Sequence, residues 1–503
     1  ALPLYASFLL LFLSIPRLFY RYYKDWVKHE AATQRALIIG AGAAGEMLAR
    51  DLLQDEISLL PIAFVDDDKR KKGRSIRGIQ VLFDTSLIAE YTAKLNADII
   101  LIAIPSASDI EMRRMVEVCE RAQVPFKTLP SVKELLSNTV SKGNLRDVAI
   151  DDILGREPVN LNWSQIKSSL SGKRILITGG GGSIGSELCR QLARVSPEAL
   201  IIYEHSEYNL YQIHTSLRKG FPDLVLRTIL GDVVDRTAVE ELIRNEKPEV
   251  IFHAAAYKHV PLLEEQVLAA VTNNLIGTKN VAEVALAENV ERFILISTDK
   301  AVNPSNIMGA TKRAAEILCQ NLNTLAEHTS FITVRFGNVL DSAGSVVPLF
   351  REQIKAGGPV TVTHPDVTRF FMTIPEACRL IMNAEAVGSG GEIYVLDMGK
   401  AIKISYLAEQ MIQLSGLSVG SDIKIEYIGL RAGEKLHEEL FHEQEQLLGT
   451  GFEKLFLAQA RRYEQDVWEQ QMKGLLVACK NRQSAAILEQ LKQLVPEFNT
   501  ADE

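Results

Sequence analysis

Cysteine is scarce in this chain, with five in 503 residues. Cys119, Cys189, Cys319, Cys378 and Cys479 are scattered and show no paired spacing. That excludes a disulfide framework and a zinc site, so no metal is expected, and the pattern suits a reducing cytoplasm. An excess of positive charge is also missing. Lys and Arg number 55 against 63 Asp and Glu, a net charge of −8. Nucleic acid, whose usual protein footprint is a strongly basic face, is therefore not an expected partner. An initiating Met is absent too, so the chain reads as cut from something longer.

What is present is an ordinary globular balance, 47% hydrophobic and 23% charged. The length is well beyond what one hydrophobic core fills, so about two to three domains are expected. The opening run, ALPLYASFLLLFLSIP, is nearly free of polar groups, and Arg17, Arg21, Lys24 and Lys28 follow it. A spanning helix needs roughly 20 apolar residues, so this run is a few short. Its apolar residues do not keep to one face, and the basic cluster follows the run as on a cytoplasmic flank. The expectation is the end of a transmembrane segment, in preference to an internal amphipathic helix or a cleaved signal peptide.

Two strand–glycine-turn–helix units follow. In RALIIGAGAAGEMLARDLL, Gly40, Gly42 and Gly45 fit G-x-G-x-x-G, and Asp66 ends the next strand. The distance from Gly45 to Asp66 is dinucleotide-type spacing, in which the acid takes a ribose hydroxyl. The motif fixes turn geometry better than it fixes a ligand, and both nucleotide binding and a structural relic stay open. In KRILITGGGGSIGSELCRQL, Gly179, Gly182 and Gly185 stand in G-x-x-G-x-x-G spacing. Backbone amides near Ser183 and Ile184 would meet a pyrophosphate at the positive end of the helix. Glu204 ends the next strand, at the same kind of spacing from Gly185. A carboxylate there accepts from a ribose and repels a 2′-phosphate, which favours NAD over NADP. Asp232 is expected beside the adenine, and Ala254 and Ala256 in HAAAYKHVP are small enough for a dinucleotide to lie close.

With TGGGGSIGSE, HAAAYKHVPLLE, NNLIGT, STDKAVNPSNIMGATK and RFGNVLDSAGSVVP in this order, the chain resembles the extended short-chain dehydrogenase/reductase superfamily. Within it the similarity is to nucleotide-sugar 4,6-dehydratases acting on UDP-N-acetylglucosamine. It looks most like their long, membrane-anchored bacterial branch, over residues 1 to about 445. The resemblance implies two consecutive Rossmann-type, doubly wound parallel-sheet α/β domains, the second with a small C-terminal substrate-binding lobe, after the end of a transmembrane helix. The expected boundaries are 1–33 (membrane segment and basic linker), 34–150 (N-terminal Rossmann-like domain), 151–450 (NAD-binding catalytic domain with its UDP-sugar lobe) and 451–503 (C-terminal helices). It further implies a bacterial inner-membrane location with a cytoplasmic catalytic region, and a homodimer or larger homo-oligomer.

In extended reductases a Ser or Thr is followed by Tyr-x-x-x-Lys. Here those positions are Thr298, Met308 and Lys312. A thioether carries no proton and cannot act as a base, so Met308 reads as core filler. In a 4,6-dehydration the ketone formed at carbon 4 acidifies the carbon 5 proton, and water then leaves from carbon 6. Carried over by resemblance, Asp299 protonates the leaving hydroxyl, Lys300 takes the carbon 5 proton, Thr298 orients the carbon 4 hydroxyl and Lys312 holds the nicotinamide ribose. Those roles need the Asp moved upward by burial and the Lys downward. The base for the carbon 4 hydroxyl stays open between Asp299 and a water relayed to Lys312. Lys258, Asn338, Ser345, Val346, Arg369, Arg431 and Glu434 are the expected grip on the UDP-sugar, the arginines as diphosphate clamps.

Overall fold

The computed structural model describes residues 34–54, 59–107, 109–122, 124–129, 146–147, 163–442, 447–452, 454–458 and 464–499. The chain forms two compact units. The first is Ala1–Glu157 with Glu409–Ile423, and the second is Pro158–Ala408 with Lys424–Glu503. The return of 409–423 to the first unit has no signal in the sequence, because it depends on contacts far apart along the chain.

In the first unit β1 (Gln34–Ile39) runs into the glycine turn and α1 (Ala43–Gln54), then β2 (Leu59–Asp66). β3 (Ser75–Ile76), β4 (Ile79–Phe83), β5 (Ile99–Ile102), β6 (Phe126–Thr128) and β7 (Arg146–Asp147) complete a sheet of order β3-β4-β2-β1-β5-β6-β7. β4, β2, β1, β5 and β6 are parallel. Alternate residues of β1 serve opposite faces: Leu37 and Ile39 pack with Val65 and Ile102, while Ala36 and Ile38 pack with Phe64 and Leu101. That period of two, buried on both sides, is why the strand reads as a continuous apolar run.

After a short helix at Trp163–Leu170, the second unit runs through β8 (Arg174–Thr178), α2 (Ser183–Leu192), β9 (Ala199–Glu204), β10 (Leu226–Leu230) and β11 (Val250–His253). α3 (Gly277–Ala287), β12 (Arg292–Ile296), α4 (Ile307–Leu325) and β13 (Ser330–Arg335) follow, then α5 (Val346–Lys355) and β14 (Ile393–Leu396). The chain closes with β15 (Leu447–Gly449), β16 (Leu455–Ala458), α6 (Gln465–Lys480) and α7 (Ser484–Leu494). The sheet order is β10-β9-β8-β11-β12-β13-β14-β16-β15. β10 to β14 are parallel, and β16 pairs antiparallel with β14 and β15. The order reverses between β8 and β11, the switch point where doubly wound sheets bind ligands. Short strands after β13 pair in twos, Asn338–Val339 with Phe371–Met372 and Thr368–Arg369 with Ile402–Lys403.

One face of this sheet is covered by α3 and α4, and these in turn by α6 and α7. Trp468, Met472, Leu475, Ile487, Leu491 and Leu494 join Val281, Ala285, Ala310, Ala314 and Ile317 in one core. The inner-membrane location expected from the sequence is corrected: among the described residues no helix is long and apolar enough to cross a membrane. The segment on which that expectation rested, residues 1–33, lies outside the described residues.

Candidate active site

β8 ends in a turn that only glycines fit. Gly179 has φ +66°, and a Cβ on it would come within 2.7 Å of the Ala255 backbone nitrogen. A Cβ on Gly185 would lie 2.1 Å from the Gly179 carbonyl oxygen, so α2 packs directly on the turn. Gly182 is the N-cap of α2, which leaves the first amides of the helix without a side-chain cap. Ser183 accepts a 3.2 Å hydrogen bond from the Ala343 amide through its hydroxyl, and the Ile184 carbonyl accepts from the Cys378 thiol. At the end of β9, Glu204 is buried and accepts from the amides of Gly181 (2.9 Å) and Ser206 (3.0 Å). Asp232 caps the Val234 amide at 3.0 Å.

Gly179, Gly182, Glu204, Asp232, Ala254 and Ala256 line one groove, so the structure brings together the positions expected to hold a cofactor from the ends of four separate strands. The groove fits a dinucleotide: its floor is a cradle that any Cβ would fill, a carboxylate waits at one end and free helix amides lie beside it. Sequence reasoning passed over Asn274, from the NNLIGT stretch. Fully buried, it accepts from the Tyr257 amide (2.7 Å) and donates to the Tyr257 carbonyl (3.0 Å) and the Thr311 hydroxyl (3.1 Å). It thus staples the groove wall to α4, one residue before Lys312.

The second cluster stands where β12 and β13 end. The Thr298 hydroxyl donates to Asp299 Oδ1 at 2.8 Å, and Lys300 Nζ donates to the same oxygen at 3.0 Å. Lys300 also donates to Asn338 Oδ1 at 2.9 Å and lies 3.5 Å from Glu438. Asn338 therefore orients the lysine in this structure. The Asp299 amide donates to the Phe336 carbonyl at 3.0 Å. Asp299 is buried, and among the described residues its Oδ2 has no hydrogen-bond partner. Gly337 leaves room for it, since a Cβ there would sit 3.2 Å from that oxygen.

Burial works to lower Lys300, but the carboxylates of Asp299 and Glu438 outweigh it and hold the ammonium above its ordinary value. This corrects the expectation of a downward shift. Glu438 was missed: four residues past Glu434 in a charged stretch, it gave no sign of facing Lys300. Lys312 behaves as burial dictates. It is pushed down to about 8 by desolvation, with Glu316 and Cys319 opposing, and finds no hydrogen-bond partner among the described residues. Met308 is buried in the apolar core, as its side chain requires.

The sugar-side residues separate into two sets. Arg369 is buried and already engaged, donating to Glu434 (3.0 Å) and to the Thr368 carbonyl (2.7 Å), with Glu438 at 3.7 Å. Glu434 holds Arg369 and accepts from the Arg431 backbone amide (3.2 Å), while the Arg431 side chain is exposed. Lys258 is exposed at the rim. Ser345 is the N-cap residue of α5, which begins at Val346, and its buried hydroxyl oxygen has no partner among the described residues.

A reversing parallel sheet, a glycine turn under a buried acid, and a hydroxyl, carboxylate and lysine following β12 define the short-chain dehydrogenase/reductase type of fold. The chain belongs to the polysaccharide biosynthesis protein family, whose sequence model matches residues 175–460. It is 46% identical over 435 residues to the probable polysaccharide biosynthesis protein EpsC of Bacillus subtilis, covering 86% of this chain and 72% of that one. It is similar to the inverting UDP-N-acetylglucosamine 4,6-dehydratase of Campylobacter jejuni, 33% identical over 290 residues, 57% of this chain and 82% of the relative. It is also similar to the UDP-glucose 4-epimerase of Rickettsia canadensis, 34% identical over 280 residues, 54% of this chain and 79% of the relative.

Proposed function

We propose that this chain carries out NAD-dependent 4,6-dehydration of UDP-N-acetylglucosamine to the UDP-4-keto-6-deoxy sugar, an early step in making a bacterial glycan. The observation that carries this reading is the Asp299–Lys300 pair, a carboxylate and an ammonium 3.0 Å apart at the end of β12. An epimerase has no need of a second acid–base pair for carbon 6, whereas a dehydratase does. Gly179, Gly182, Ser183, Ile184, Gly185, Glu204, Asp232, Ala254, Ala256 and Lys312 would hold NAD, which when bound supplies a hydride acceptor and donor for the sugar.

The chain's own residues do the proton work. With Lys300 held protonated, the pair carries one proton between an amine and a carboxylate. Moving it across the 3.0 Å hydrogen bond leaves Asp299 neutral, ready to protonate the carbon 6 hydroxyl, and Lys300 neutral, ready to take the carbon 5 proton. Thr298 orients the carbon 4 hydroxyl. Lys258, Asn338, Ser345, Val346, Arg369, Arg431 and Glu434 surround the UDP-sugar. Arg431, the exposed guanidinium, meets the diphosphate, and Arg369 is held by Glu434 at 3.0 Å with Glu438 at 3.7 Å. The resemblance to the long branch favours retention at carbon 5, the opposite of what the Campylobacter relative's name states.

The test is incubation with UDP-N-acetylglucosamine followed by mass spectrometry and proton NMR. Loss of one water with the xylo-configured ketone is expected. An isobaric product would make the enzyme an epimerase, and an unchanged sugar would overturn catalysis on this substrate. Glu204 adds a cofactor prediction: denaturing the purified protein should release NAD, and NADP as the main dinucleotide would refute the role given to Glu204.

A further inference from the structure

We propose that Glu316 is the positioning residue of the reaction centre, one buried carboxylate that ties together the strand ends and helix bearing the reacting groups, and that Glu497 near the end of the chain completes the tie. The proposal rests on the dehydratase reading for which groups need positioning. The geometry is a saturated carboxylate. Oε1 accepts from the Ser297 hydroxyl at 2.6 Å and from Arg335 Nε at 2.8 Å. Oε2 accepts from Arg335 Nη2 at 2.7 Å and from Arg313 Nη1 at 3.0 Å. Arg313 in turn donates from Nε to Glu497 at 2.8 Å. Two arginines thus balance two glutamates, and Glu316, Arg313 and Arg335 are each no more than 1% exposed.

None of these groups touches the proposed substrate, yet each stands beside one that does. Ser297 precedes Thr298, Asp299 and Lys300. Arg335 precedes Phe336, whose carbonyl receives the Asp299 amide, and Asn338, which receives Lys300. Lys312 lies one helical turn before Glu316 on α4. The Asn499 amide, two residues past Glu497, donates to the Pro304 carbonyl in the loop that leaves the Asp–Lys pair. A buried ion cluster is a poor way to gain stability, since apolar residues of the same volume would serve as well. It is a good way to fix direction, because four donors from three elements leave the carboxylate one orientation. Burial alone would push Glu316 up, but Arg335 and Arg313 outweigh it and hold it at about 2, so the tie stays charged at any working pH.

The experiment uses the full chain and compares Ser297→Ala, Ser297→Thr and Glu497→Gln with wild type. Ser297→Ala removes one donor without stranding a charge. It should lower kcat by ~10- to 100-fold, the cost of misplacing reacting groups by about an ångström. KM and bound NAD should stay within about twofold. Ser297→Thr, which keeps the hydroxyl, should recover most of the loss. Glu497→Gln should lower kcat in the same direction by a smaller factor, and it decides the case should Ser297→Ala not fold. Amide hydrogen exchange should quicken in peptides covering 297–300 and 335–338 and nowhere else in the sheet. A lower unfolding midpoint with kcat per folded molecule, KM and local exchange unmoved would reduce the cluster to a structural one and overturn the proposal. The exchange readout needs no turnover. If wild type leaves UDP-N-acetylglucosamine untouched while Ser297→Ala still loosens those peptides, the dehydratase reading falls and the tie stands.

Discussion

At the scale of single residues, the proposed dehydration places most of its chemistry on the Asp299–Lys300 pair. Asp299→Asn keeps the shape without the acid proton, and Lys300→Met keeps much of the stem without the base. Each should cut turnover ~100- to 10,000-fold, with NAD and UDP binding preserved within about tenfold. Lys300→Met should also abolish exchange of the carbon 5 proton with deuterated solvent. Normal turnover with deuterium incorporation would place the base elsewhere. Lys312 gives a second prediction. With its value pushed down to about 8, the amine becomes neutral as pH rises through that point and can then draw the carbon 4 hydroxyl proton through a water. The rate should therefore climb with pH up to about 8, and Lys312→Met should flatten the climb. A wild-type profile flat through pH 8 would assign that proton to Asp299 instead. The pair itself was legible in the sequence because Thr-Asp-Lys sits in a diagnostic string of motifs. The upward shift of Lys300 was not, because the Asp299 carboxylate outweighs burial only together with Glu438, which lies far along the chain and meets the lysine only in the fold.

At the scale of elements, glycine spacing made the turn after β8 readable, and the structure supplies the reason in distances. A methyl on Gly185 would lie 2.1 Å from the Gly179 carbonyl oxygen, a backbone atom that cannot swing aside. Gly185→Ala should therefore push α2 off the turn, and the protein should purify with little or no bound dinucleotide. A Gly185→Ala protein that retained its full complement of NAD would show that α2 does not form the pyrophosphate seat. The matching position in the first unit is equally tight, with a Gly45 methyl 1.9 Å from the Gly40 carbonyl oxygen. There the acid at the end of β2 is already taken. Asp66 accepts from the Ala41 amide at 2.8 Å and pairs with Lys71 at 2.8 Å. The glycine motif announced a turn in both units, but sequence alone did not show that Lys71, a short way past Asp66, occupies its carboxylate.

At the scale of the whole molecule, the tail decides how the catalytic unit presents itself. The tail after residue 450 reads as polar helices with no chemical motif, and its apolar residues are spaced so that only the fold reveals what they cover. Trp468, Met472, Leu475, Ile487, Leu491, Leu494 and Phe498 bury themselves against α3 and α4. At ~1.5–3 kcal/mol for each large apolar side chain, the seven amount to roughly 10–20 kcal/mol before the entropy of ordering two helices is subtracted. That is comparable with the entire net stability of a typical domain, ~5–15 kcal/mol. A chain ending at Glu464 would also leave Arg313 without Glu497 and Pro304 without the Asn499 amide. The truncated protein should thus expose the apolar faces of α3 and α4 and run as larger species in size-exclusion chromatography with light scattering. Its turnover should fall even in whatever fraction stays dispersed. Supplying residues 465–503 as a separate chain should restore part of both properties. A truncated protein that stayed monodisperse with wild-type kcat would show that the C-terminal helices are dispensable to the core and to the reaction centre alike.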